Sequence, residues 1–172
     1  MKNNRTLAKR LTTQAMLVAA AVVLGGIERL IPPFFPAMPG VKIGLANLAT
    51  LAALYWLGEI PAIAIAVARI LLGTFLFASV SALPYALAGG VLAWAVMCVG
   101  RRVFGVPGVS LLGAVAHNLA QICVSVWLLD STVLFMYIPF LTIIACATGF
   151  VLGFVMLNLD NHIRKTSLLT NI

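Results

Sequence analysis

Residues 113–121, "GAVAHNLAQ", place a histidine, an asparagine and a glutamine in an otherwise apolar run. An imidazole and two amides can both donate and accept hydrogen bonds, so the stretch has the chemistry of recognition rather than of bulk packing. Ser110, Ala114, His117, Gln121 and Ser125 follow one another at intervals of four, three, four and four, which on a helix is one face; Asn118 lies about 100° round from His117. A second run repeats the rhythm: Ala62, Ala66, Arg69 and Gly73 share a face, with Arg69 about 15 Å along the helix from its start. A guanidinium cannot shed its proton and needs a carboxylate, a ring of carbonyls or an anionic ligand. In "PGVKIGLANLAT", Lys42 sits at the head of a segment on which Asn47 and Thr50, three apart, share a face with Gly44.

Two readings of these groups compete. Any one of His117, Asn118, Gln121 or Asn47 is explained by hydrogen bonding between helices. The set that includes Arg69 is better explained by a cavity in which Lys42, Asn47, Arg69, His117, Asn118 and Gln121 converge on an anionic or amphipathic small molecule. The carboxylates are Glu28, Glu59, Asp130 and Asp160, none placed near the middle of a span, so the expected partner of Arg69 is a bound anion or a network of amides and carbonyls. Catalysis is not expected: the histidines are His117 and His162, the acids are scattered, and no Ser/His/Asp set, metal-ligand cluster or CxxC pair appears. No catalytic residue, metal or cofactor is therefore assigned.

The elements that must position these groups follow from composition. Of 172 residues, 63% are hydrophobic and 9% charged, and mean hydropathy is +1.13. A soluble domain carries about 25% charged residues, and a chain this short could not hide so much apolar surface from water. The sequence predicts an all-α integral membrane protein, a single domain over residues 1–172, with six transmembrane helices at 11–31, 43–58, 60–82, 84–99, 110–129 and 134–157. Long uninterrupted apolar runs exclude a transmembrane barrel. "MKNNRTLAKRL" is a basic leader, but the apolar stretch behind it ends in Glu28 and Arg29 rather than a small-residue cleavage site, so a retained helix is expected.

Charge orients the bundle. With the amino terminus inside, Lys2, Arg5, Lys9, Arg10, Arg101, Arg102, Arg164 and Lys165 fall on the inner side, leaving Arg29 and Lys42 outside and Arg69 within a span. The positive-inside rule then predicts a multi-pass cell-membrane protein with both termini cytoplasmic. The net charge of +7 is accounted for by topology and calls for no nucleic-acid partner. The proline-rich "IPPFFPAMPGVKIG", 31–44, reads as an irregular outer loop, and "GRRVFGVPG", 100–108, as a cytoplasmic one.

"MPGVKIGLANLATLAAL", "RILLGTF", "AGGVLAW" and "GVSLLGAVAHNLAQI" resemble the membrane family of Gx transporters, also labelled heptaprenyl diphosphate synthase component I and grouped with the S components of energy-coupling factor transporters. The resemblance runs from about residue 11 to 157. It implies a six-helix S-component-like bundle with an outward-facing ligand pocket under the loop after the first helix. It also implies docking of small residues on that helix, here Ala15 and Ala19, against a partner membrane subunit driven by ATPases.

The synthase label conflicts with the residues: prenyl diphosphate synthases hold magnesium diphosphate on clustered aspartates, whereas Asp130 and Asp160 are thirty apart. The expectation is a non-enzymatic transport component that captures a small ligand from the outer side, the loop 31–42 closing over it. The alternative is a non-catalytic accessory membrane component in isoprenoid or quinone metabolism.

Overall fold

The computed structural model describes residues 2–30 and 44–165. Among the described residues six α-helices carry the chain: α1 (Lys2–Leu30), α2 (Leu45–Trp56), α3 (Glu59–Phe77), α4 (Leu83–Gly100), α5 (Val106–Leu129) and α6 (Ile138–Lys165), with short 3-10 segments at Val80–Ala82 and Thr132–Tyr137. Prolines punctuate this order. Pro61, Pro84, Pro107 and Pro139 each fall within the first three residues of a helix, where the missing N–H costs no intrahelical bond. Between α2 and α3 the chain reverses at Gly58, whose φ of 99° is open to glycine and strained for other residues.

The stretches Leu7–Leu30, Glu59–Phe77, Val80–Gly100, Val106–Leu129 and Thr132–Lys165 are long and apolar enough to cross a membrane. The chain is thus a multi-pass helical membrane protein. The second segment differs from the expected span at 43–58: α2 has 12 residues, which at 1.5 Å per residue is about 18 Å against a hydrocarbon core of about 30 Å. Hydropathy alone counted it as a crossing because its residues are as apolar as those of the long helices. The loop expected at 100–108 is also shorter, since Pro107 opens α5 instead of breaking it. At the other end α6 runs on past 157 to Lys165 as its sequence turns polar.

Helices α1, α2 and α3 pack on one another, α5 packs extensively on α4 and α6, and the two groups meet along α3–α4 and α2–α6. The α5–α6 seam is close because Gly149 and Gly153 face α5. A Cβ at Gly149 would stand 2.8 Å from the Leu111 Cα, and one at Gly153 would overlap the Pro107 backbone. This is a GxxxG spacing, "GFVLG", that allows backbones to approach directly. The Gly40–Gly44 pair has the same spacing, but Gly40 lies outside the described residues.

The bundle has two unlike halves. One half contains a filled core of Leu51, Leu54, Ile65, Met97, Val109 and Met156, all at 2% exposure or less. Polar ties close its outer edge: Arg101 pairs with Glu59 at 2.9 Å and donates to the Leu54 carbonyl at 3.2 Å, while Asp160 accepts from Trp56 Nε1 and from Arg164 Nε, both at 2.9 Å. Arg101 thereby meets a carbonyl at the C-terminus of α2, where the helix dipole favours a cation. Because Arg101, Arg102, Arg164 and Lys165 gather there, it is the basic end. The other half is hollow.

A charged cavity between the helices

The cavity measures about 150 Å³ and takes lining residues from all six helices. The C-terminal turn of α2 is tied to the basic end through Leu54 and Trp56, and its first turn, about 18 Å from that end, lines the cavity with Ala46, Asn47 and Leu48.

Arg69 reaches this space from α3. Its Nε donates to Thr50 Oγ1 at 3.0 Å and its Nη2 to Asn47 Oδ1 at 3.2 Å. Both acceptors come from α2, one turn apart, as the shared face of Asn47 and Thr50 requires. These are neutral acceptors: they orient the guanidinium and leave its charge in place. Among the described residues no bond engages Nη1, and the side chain is a lining group of the cavity.

Glu28 comes from the last turn of α1 and is 8% exposed. Its Oε1 accepts the Gly44 N–H at the start of α2, a helix N-terminus that favours a carboxylate. The next residue does the complementary thing: Arg29 Nη1 donates at 2.7 Å to the carbonyl of Phe77, the last residue of α3. The Glu28–Arg29 pair thus joins α1 to the start of one neighbour and the end of another, each with the charge that the helix dipole prefers. Glu28 acts coulombically on Arg69, yet the two make no ion pair within 4.0 Å.

From α5, His117, Asn118 and Gln121 line the same cavity with Ser110 and Ala114. Asn118 also holds two helices together, its Nδ2 donating to the Leu141 carbonyl on α6 at 3.3 Å. Ser125 turns back to the Gln121 carbonyl at 2.7 Å and is not a lining residue. The His117 imidazole lies against α4 where the chain has Gly89. A Cβ there would sit 2.8 Å from both Cε1 and Nδ1, and 3.1 Å from Gln121 Cγ. Gly90 beside it gives the same room to Ile70 of α3. The two glycines of "AGGVLAW" therefore admit one side chain from each neighbouring helix.

Of the residues singled out from sequence, Asn47, Arg69, His117, Asn118 and Gln121 line one cavity. Lys42 and the proline-rich stretch before it lie outside the described residues. Ala15 and Ala19 are exposed on the outer side of α1, away from the cavity. Thr50 bonds Arg69 from the face it was expected to share with Asn47, whereas Glu28 and Gly89 were not expected to belong to the site. Glu28 stands in the last turn of α1, at the end of its span as expected, and also lines the cavity that Arg69 lines. The signal available in sequence was the opposite-charge pair ending an apolar helix just before a helix-breaking loop.

The family model for heptaprenyl diphosphate synthase component I matches residues 17–159. The chain belongs to that family. Neither a curated protein nor a solved structure matches it. In this heptaprenyl diphosphate synthase component I family member the matched region contains Glu28, Asn47, Arg69, His117, Asn118 and Gln121, and of the two alanines on α1 it includes Ala19 but not Ala15. The family's description is that of one component of a synthase. Among the described residues no three His, Cys, Asp or Glu side chains group as metal ligands would. What the cavity residues can do chemically is recognise charge and hydrogen-bonding groups.

Proposed function

We propose that the chain is a ligand-capturing membrane component: a small molecule with a negatively charged group enters the hollow half, its anion meets Arg69, and Asn47, His117, Asn118 and Gln121 bond the remainder of its polar part. The observation that carries this reading is Arg69, a guanidinium oriented by two neutral acceptors on α2 and lining a cavity of about 150 Å³. A charge at that depth costs several kcal/mol unless it has partners, and side chains of this kind in membrane helices mark ligand or ion pathways. A cavity of roughly this size admits a single aromatic ring.

In this reading the basic end faces the cytoplasm of the cell, with both termini, and the cavity faces outward, as the positive-inside rule favours. Transport is then driven by partner subunits, an energy-coupling membrane protein and its ATPases, with the exposed small residues Ala15 and Ala19 on α1 offering a close-packing surface. Native mass spectrometry of the purified protein tests the capture step. A co-purifying small molecule is expected on the unmodified chain and not on Arg69→Ala; retention unchanged by the substitution counts against the site.

A second reading is favoured by the family description: a non-catalytic membrane accessory of a prenyl diphosphate synthase. Affinity purification from membranes separates the two, since capture of an ATPase module supports transport and capture of a prenyl synthase subunit supports the accessory role.

A further inference from the structure

The cavity holds a cation and an anion that the fold keeps apart. Glu28 uses Oε1 on the Gly44 N–H, and Arg69 uses Nε and Nη2 on Thr50 and Asn47. This leaves one carboxylate oxygen and one guanidinium nitrogen, both on side chains lining the same cavity, that no bond among the described residues engages. They do not turn to each other, though long flexible side chains in a low-dielectric interior gain by doing so when nothing lies between them. Each is instead held by a group on α2, and the two holding points, Gly44 and Asn47, are linked by a backbone bond of 2.8 Å at the first turn of that helix.

Charge balance then decides the ligand class. Among the described residues the buried part of the lining holds the opposite formal charges of Glu28 and Arg69; the third charged lining residue, Arg29, is solvent-exposed, so that water screens its charge. Entry of a simple anion would leave the interior with net negative charge beside the Glu28 carboxylate, and burial of an unbalanced charge is costly. A ligand with its own cation as well as an anion leaves the balance at zero and satisfies both free edges. We infer that the cavity selects a small dipolar ligand of about one ring in size, with a carboxylate on Arg69 and a protonated nitrogen on Glu28.

This inference rests on the capture reading above, and single-ring probes separate the two. The full-length protein in detergent is titrated calorimetrically with benzoate, benzylamine and the ortho, meta and para isomers of aminomethylbenzoate, which span a range of charge separations. At least one dipolar isomer is expected to bind on the order of tenfold or more tighter than benzoate and than benzylamine. In Glu28→Gln, whose amide oxygen can still accept from Gly44, that preference falls to the benzoate level; in Arg69→Gln both benzoate and the dipolar isomers are lost. Benzoate binding as tightly as every dipolar isomer overturns the inference and leaves anion capture by Arg69 standing. Binding of none of the probes, or of benzylamine alone, overturns both. The unmodified protein decides between these outcomes even where a variant fails to fold.

Discussion

Each half of the bundle holds a glutamate and an arginine, Glu59 with Arg101 and Glu28 with Arg69, and the two halves use them in opposite ways. At the basic end Glu59 and Arg101 meet at 2.9 Å, with side chains 33–38% exposed, at the edge of the filled core. In the hollow half Glu28 is buried and Arg69 partly so, yet each is bound to α2 or its N-cap rather than to the other. A contact ion pair has used its bonding capacity and serves as a closure. A separated pair keeps capacity on both sides of the space between, which is what a recognition site needs and a structural tie does not.

That contrast breaks most severely if the seam shared by both halves is pushed apart. A side chain at Gly153 has no space to enter, because its first atom overlaps the Pro107 backbone, and backbone cannot rotate away as a side-chain tip can. Gly153→Leu is expected to cost more than about 3 kcal/mol and to abolish a single folded species. Thermal unfolding and gel filtration in detergent measure this. A monodisperse variant with an unchanged midpoint would mean that α5 and α6 are not as close as 149–153 makes them.

A sharper test acts on the hollow half alone, with two glycines that line or border the cavity. At Gly73 an added Cβ meets nothing within 4 Å, whereas at Gly89 it collides with the His117 ring at 2.8 Å. Gly89→Ala is expected to destabilise by about 1–3 kcal/mol, as the imidazole is driven into the cavity, and to weaken binding of the best dipolar probe about tenfold. Gly73→Ala removes helix-disfavouring backbone freedom and is expected to stabilise by roughly 0.5–1 kcal/mol. Equal effects of the two substitutions in a melting experiment would show that Gly89 does not admit His117.

Much of the cavity was legible because helical periodicity is a property of the sequence itself. Ser110, Ala114, His117 and Gln121 had to share a face once α5 was a helix, and so did Arg69 and Gly73 on α3, and Asn47 and Thr50 on α2. Which faces meet is a different kind of fact. The bonds from Arg69 to Asn47 and Thr50 join residues 19 and 22 apart, and no local rule selects them over other amides. Hydropathy does not locate the ends of α2 for a related reason: it measures how apolar a segment is, while the helix is bounded by Gly44 and Gly58, both with positive φ. The small residues that set approach distances, Gly89, Gly149 and Gly153, give little signal in a chain rich in glycine and alanine.

The smallest effect is expected at the closed end, and it is informative for being small. Glu59→Gln removes the anion from the Arg101 pair, but both side chains are about one third exposed, so solvent already screens the interaction, and such pairs contribute about 0–1 kcal/mol. Arg101 also keeps its bond to the Leu54 carbonyl, and the Glu59 backbone still accepts from Trp94 Nε1 at 3.0 Å, so the closure loses one of several ties. The midpoint of unfolding should move by only a few degrees or less, and the affinity for the dipolar probe should stay unchanged, because the filled core lies between this pair and the cavity. Glu28→Gln makes the same chemical change and is expected to remove the dipolar preference. If Glu59→Gln weakened probe binding as much as Glu28→Gln does, the two halves would be energetically coupled, and the division between a closure and a recognition site would fail.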